Sequence, residues 1–219
     1  KNLTIIGTSH IALESIKEVT TFIKDKKPEI IALELDKPRF LALMQKRKAS
    51  KFSALRELGL KVFLLNLIGT YIERKLGDLV GVTPGSEMKK AALLAKKQKA
   101  KIALIDQDAR ITLKKLTSIP RREKWRICKD IINSLLKRGP KIKVDLTKVP
   151  EKEFIAMLLK KVMERYPTIY SVLIEERNKH MAKSLYKLTA EYPQANILAI
   201  VGAGHTLGLI EEIKKYEKI

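Results

Sequence analysis

The stretch Ile197-Leu198-Ala199-Ile200-Val201-Gly202-Ala203-Gly204-His205 reads as a strand running into a helix. Five apolar residues without a polar break suit a strand buried on both faces, and the glycines end it. Helical periodicity then takes over across 207–216. Three more short apolar runs, at 3–6, 30–35 and 102–105, have the same form. Helical patterns separate them, at 11–26 after the first and from 36 onward after the second. Strands alternating with helices predict an α/β fold with a central, mostly parallel sheet flanked by helices.

Helical patterning over 53–81 and 120–192 is longer than simple crossovers need. Extra helices packed over the sheet are expected there. The reading is one α/β domain spanning residues 1–219, with helical insertions around 37–81 and 110–192. Punctuation agrees: Pro84-Gly85-Ser86 precedes a helix over 87–97, Pro120 and Pro150 sit at first-turn positions, and Gly139-Pro140 is a stop.

Composition narrows the classes. The 219 residues are 45% hydrophobic, which suits a globular chain able to bury a full core. The single cysteine, Cys128, excludes an internal disulfide framework and a Cys-based zinc or iron–sulfur site, and suits a reducing compartment. No apolar run approaches the length needed to span a bilayer; the segment 62–72 is short and carries Asn66 and Gly69. Lys+Arg 45 against Asp+Glu 24 gives a net charge of +21. Such an excess favours anionic partners. Yet only 5% of the chain is aromatic, and no stacking cluster or nucleic-acid module is visible. Heat adaptation ranks first as the source of the charge, an anionic membrane surface second, and nucleic acid last. Self-association into a homo-oligomer stays open.

Polar groups follow the strands. His10 comes just after the first, Glu34 ends the second, Asp106 and Asp108 follow the third, and His205 follows the fourth. The carboxyl ends of parallel strands form the crevice where ligands bind, so these residues are expected at one edge. Two of the histidines share a context, Gly7-Thr8-Ser9-His10 and Gly202-Ala203-Gly204-His205. Glycine permits a sharp turn there, and either histidine alone also reads as an ordinary helix cap. A helix starting near Pro167 carries the apolar stripe Ile169, Val172, Leu173, Met181, Leu185, Leu188, and Arg177 falls on that stripe. A guanidinium there needs an anion or carboxylate, because burying it unpaired is costly. It is read equally as an oxyanion clamp and as a structural partner of Glu34, Asp106 or Glu175. His180, Trp125 and Cys128 read as structural, the last two as packing at i, i+3.

These pieces, together with Ala32-Leu33-Glu34-Leu35-Asp36 and Arg39, Gly81-Val82-Thr83-Pro84-Gly85-Ser86-Glu87-Met88, Ile105-Asp106-Gln107-Asp108 and Glu176-Arg177-Asn178-Lys179-His180-Met181, resemble the TraB/PrgY family of pheromone-shutdown proteins, its archaeal homologues and the Tiki proteases. The resemblance covers nearly the whole chain. It implies a fold similar to erythromycin esterase and the haem-binding ChaN proteins. From the Tiki branch it implies a metal-dependent, peptidase-like hydrolase favouring manganese or cobalt, with His10, His205 and Glu34 as metal-binding and catalytic residues. Arg177 matches the arginine of the esterase relatives' Arg-x-x-x-Met signature. Asp106, Asp108, Arg39, Glu87, Glu176 and Asn178 form a second tier. Where many homologues have Asp-Arg-Asp, this chain has Asp106-Gln107-Asp108. Many members carry membrane-spanning helices beyond this domain, so the resemblance implies a cytoplasmic or membrane-associated protein continuing past Ile219.

Three mechanisms follow. Two imidazoles and a carboxylate could hold a divalent ion, with Glu34 as ligand or base, Arg177 stabilising an oxyanion, and Asp106 or Asp108 orienting a histidine. A histidine could instead activate water without metal, as the esterase relatives suggest. The cleft could also sequester a peptide, signal-like or haem-like ligand without turnover.

Overall fold

A computed structural model describes residues 2–8, 13–45, 85–135 and 152–217. In chain order these form β1 (Leu3–Thr8), α1 (Leu13–Lys26), β2 (Ile30–Leu33), α2 (Lys37–Gln45), α3 (Ser86–Gln98), β3 (Lys101–Leu104), α4 (Ala109–Thr117), α5 (Arg121–Leu135) and α6 (Lys152–Arg165). The last part comprises α7 (Pro167–Tyr170), a π-helical turn (Ser171–Glu175), α8 (Glu176–Glu191), β4 (Ile197–Gly202) and α9 (Ala203–Glu217). His10, the helical patterning at 53–81, the Gly139-Pro140 stop and Pro150 lie outside the described residues.

The four strands make one parallel sheet in the order β1-β4-β2-β3. The register pairs Thr8 with Gly202, and Leu33 with both Ile200 and Leu104, so all four carboxyl ends share an edge. The chain moves outward from β1 through β2 to β3 and then returns to insert β4 between β1 and β2. That reversal opens the crevice expected to receive a ligand.

Alternation along the strands builds two cores. Ile31, Leu33, Leu198 and Ile200 face Val19 and Ile23 of α1 and Met88, Ala91, Ala92 and Ala95 of α3. The intervening Ile30, Ala32, Ile197, Ala199 and Val201 face Met181, Ala182, Leu185 and Leu188 of α8 and Leu209 of α9. Both faces of β2 and β4 are therefore covered, which is why these strands read as continuous apolar runs. The expectation of packing fails at Trp125, which is 72% exposed on α5; the Cys128 side chain lies outside what is described. Among the described residues no helix is long and apolar enough to cross a membrane.

Gly7 has a steric duty. A Cβ on it would lie 2.2 Å from Thr206 Oγ1 and 3.3 Å from the Cα of Ala203. The end of β1 and the first turn of α9 thus approach too closely for any side chain. The glycine of the first Gly-x-x-His stretch is therefore packed against the residues flanking His205 in the second. Gly7→Ala is expected to cost about 1–3 kcal/mol in urea unfolding, as overpacking does. Adding Thr206→Ala should recover part of that loss, whereas strictly additive costs would show that the two positions do not meet.

Candidate functional site

The polar cluster begins with Glu34, one residue beyond β2. Its backbone N–H donates to the Ile200 carbonyl at 3.1 Å, so the β2–β4 ladder fixes its place. Its Oε2 accepts the Gly202 N–H at 2.5 Å at the end of β4. The other oxygen, Oε1, accepts from Arg177 Nη2 and lies 3.4 Å from His205 Nε2. Asp106 arrives from the end of β3, with its side chain 1% exposed.

Arg177 joins these groups. Nε donates to Asp106 Oδ1 at 3.1 Å, and Nη2 donates to Asp106 Oδ2 at 2.8 Å and to Glu34 Oε1. Nη1 donates to the Leu173 carbonyl at 3.3 Å and to His205 Nε2 at 2.9 Å. A guanidinium has five N–H groups, and all five are engaged. The structural pairing anticipated for this arginine is present, to Glu34 and Asp106 and not to the exposed Glu175.

Local backbone geometry contributes. Immediately before α8 the helix passes through the π-helical turn, closed by the Glu176 N–H on the Ser171 carbonyl. Such turns often mark functional sites. Here the turn sits one residue ahead of Arg177, whose side chain reaches back to the carbonyl of Leu173 inside it.

His205 sits in the first turn of α9 with its ring buried. An arginine N–H can only donate, so Nε2 accepts and the proton of a neutral ring resides on Nδ1. Nδ1 then donates to Asn178 Oδ1 at 2.7 Å. Asn178 therefore sets the tautomer, a task the sequence assigned to Asp106 or Asp108. Gly208, one turn along α9, makes room for it: a Cβ there would lie 2.4 Å from Asn178 Nδ2.

A further layer surrounds Asp106. Arg39 Nη2 donates to Asp106 Oδ2, the oxygen that also receives Arg177, and Arg39 Nε donates to Asp36 Oδ2 at 3.0 Å. Asp36 accepts the Arg39 backbone N–H at 2.8 Å in the first turn of α2, and the Ala109 N–H at 2.8 Å at the start of α4. It thereby caps two helices. Asp36 is the group that site prediction missed, although an aspartate three residues ahead of a helical N–H is a legible cap signal.

The remaining second-tier residues lie elsewhere. Asp108 caps α4 through the Arg110 N–H and pairs with the Arg110 guanidinium. Glu176 pairs with Lys115 at 2.7 Å near the surface. Glu87 is buried in the first turn of α3. Thr8, in register with Gly202, is the last described residue before His10.

Burial would raise the Asp106 carboxyl, but hydrogen bonds and charge from Arg177, with the charge of Arg39, outweigh it and hold the group below its ordinary 3.8. The same network, against the opposing effect of burial, pushes the Arg177 guanidinium above its usual range. Among the described residues no group of three or more His, Cys, Asp or Glu is placed to hold a metal ion.

With this geometry fixed, comparison with known proteins assigns a lineage. The TraB/PrgY/gumN family profile matches residues 1–217. The chain belongs to the TraB/PrgY/gumN family. An uncharacterized protein of Methanocaldococcus jannaschii is 39% identical over 219 residues, covering 97% of this chain and 53% of that protein. TraB domain-containing proteins of Mus musculus and Homo sapiens are 22% and 21% identical over 230 residues, covering 94% of this chain and 61% of each relative. The chain thus spans a little over half the length of these relatives. A solved structure of ChaN of Campylobacter jejuni, described as showing cofacial heme binding, covers 99% of this chain and 77% of its own, at 14% identity and a TM-score of 0.44.

Asp106→Asn is expected to cost about 3–5 kcal/mol at neutral pH, because it leaves the buried Arg177 undercompensated. Since the folded carboxyl titrates below its ordinary 3.8, its contribution is complete above that value and is lost as pH falls through the lower folded one. Urea midpoints of the wild type should therefore decline more steeply than those of Asp106→Asn below about pH 4. Parallel declines would remove Asp106 from the acid transition.

Proposed function

We propose that this cluster is a hydrolytic site in which His205 activates water without a metal ion, acting on an ester or amide of a small peptide-like or signal-like substrate. The observation that supports the reading is the setting of one imidazole nitrogen. Asn178 keeps the proton on Nδ1, so Nε2 carries the lone pair, and Nε2 faces both a guanidinium and a carboxylate.

The chemistry follows from that pair of neighbours. In the resting state Nε2 accepts from Arg177. For turnover, water takes the place of Arg177 Nη1 at Nε2, while the guanidinium stays tethered to Asp106 through Nε and Nη2. His205 removes a proton from water as hydroxide adds to the substrate carbonyl. The new Nε2–H then has Glu34 Oε1 within 3.4 Å as its acceptor and counter-charge. Arg177 Nη1, released from the ring, becomes a donor for the developing oxyanion. His205 finally returns the proton to the leaving group. Glu34 is thus the group that stabilises the imidazolium, and Arg177 is at once anchor and electrophile.

The metal-dependent reading shares part of this donor set. His205 Nε2 and Glu34 Oε1 are two of its three donors and lie 3.4 Å apart. Arg177 already donates to both, so a divalent ion would have to displace a fixed positive charge. The described residues do not fit an ion in this arrangement.

A panel of peptide and ester substrates, assayed with chelator and with added Mn²⁺ or Co²⁺, separates these readings. Activity that survives chelation and falls about 10²–10⁴-fold in His205→Ala, the usual scale for loss of a general base, is the expected result. Activity lost to chelator and restored by metal would favour the ion. Ligand capture with no turnover under any condition would favour sequestration.

A further inference from the structure

Two arginines enter the cluster, and they differ in what they have left to offer. Arg177 has its five N–H groups engaged and a side chain only 15% exposed. Arg39 spends Nε on Asp36 and one N–H of Nη2 on Asp106, and its side chain is 39% exposed. Both N–H groups of Nη1 and the second of Nη2 therefore have no acceptor among the described residues. They form the outer, planar edge of the fork, the edge that matches a carboxylate bidentately.

The charges around this edge permit an anion. Asp36 is answered by two helix N-termini as well as by Arg39. Glu34 and Asp106 are then balanced by Arg177 and Arg39. An anion arriving at Arg39 meets a guanidinium already held in place by two carboxylates, so little side-chain entropy remains to be lost. The edge is joined to the imidazole through one carboxylate and one guanidinium: Asp106 Oδ2 binds both arginines, and Arg177 binds His205 Nε2.

We propose that Arg39 is the anion-recognition group of this site and that it takes a ligand carboxylate, as at the free C-terminus of a short peptide. The proposal rests on the hydrolytic reading for the position of the scissile bond, but the binding step stands apart from it. Arg39 fixes which end of the substrate is held, and His205 acts on the carbonyl that this places in the crevice. The substrate class is then short peptides or acylated amino acids with a free carboxylate. A phosphate group presents similar oxyanion chemistry, and the experiment distinguishes the two.

The test uses pools of acetylated tripeptides with free or amidated C-termini, bound to His205→Ala protein and measured by equilibrium dialysis with mass spectrometry. The free acids are expected to bind at least about tenfold more tightly than the amides, the scale of a charge-assisted bidentate pair. Arg39→Gln should abolish that preference, and Arg39→Lys should retain only part of it. The backbone N–H of Arg39 that Asp36 accepts survives both substitutions, and urea unfolding confirms that each variant is folded. Equal binding of acids and amides, no binding of either, or an undiminished preference in Arg39→Gln would overturn the proposal. So would competition by inorganic phosphate without any acid preference, which would assign the edge to phosphate. An Arg39-dependent acid preference with no turnover by wild-type protein sinks the hydrolytic reading alone. Equal cleavage of acids and amides, dependent on His205, sinks this proposal alone.

Discussion

Everything at the carboxyl edge of the sheet is arranged around one buried guanidinium. Removing a charge from water is expensive, and Arg177 sits where water cannot repay the loss. The compensation comes from Asp106 on β3's side, Glu34 on β2's side, His205 from α9 and the carbonyl of Leu173 from its own helix. One side chain thus ties the ends of three strands to the helical layer covering them. Loss of either carboxylate would leave the arginine undercompensated, and loss of the arginine would leave Glu34 buried without that partner and Asp106 with Arg39 alone of its two cations.

Such a network needs close placement, and small residues supply it. Gly7 lets the end of β1 meet the first turn of α9, and Gly208 lets Asn178 lie against the same helix. Both act on His205 indirectly, the first by seating its helix and the second by seating the amide that fixes its tautomer. The alanines of α3 do similar work on the opposite face, drawing that helix onto β2 and leaving Glu34 pinned between the β4 backbone and Arg177.

Much of this could be read in the sequence, and the limits have physical causes. All four strands were legible because strands covered on both faces must be uninterruptedly apolar, and parallel pairing then put Glu34, Asp106 and His205 at one edge. Arg177 was legible as buried from the stripe it interrupts, and its partners from the cost of leaving it alone. The π-helical turn was not: a one-residue change of helical pitch leaves no periodic trace in a short stripe. Nor could residue types show that Asn178, and not an aspartate, serves His205, since Asp106 is consumed by two arginines and Asp108 by its own helix. Helical spacing also misplaced Trp125, because an aromatic at i, i+3 from a cysteine reads as packing whether or not a partner layer lies against it. His10 lies outside the described residues; Gly7, packed against Ala203 and Thr206, and Thr8, in register with Gly202, tie its motif to that of His205.

A fully satisfied network is at rest, and this bears on whether it turns anything over. Catalysis by His205 requires that one hydrogen bond, from Arg177 Nη1, yield to water while the other contacts of the guanidinium hold. The bidentate grip of Asp106 makes that exchange local, since Nε and Nη2 keep the plane of the guanidinium fixed when Nη1 lets go. The resting bond has its own effect: it keeps the Nε2 lone pair occupied. In the proposed reaction water displaces Nη1, and Glu34 Oε1, 3.4 Å from Nε2, then serves as counter-charge. Arg177 thus occupies the base at rest and, once displaced in that reaction, stabilises the developing oxyanion. The feature on which the hydrolytic proposal rests is therefore the imidazole set between the arginine and the glutamate, with its Nδ1 donating to a buried amide.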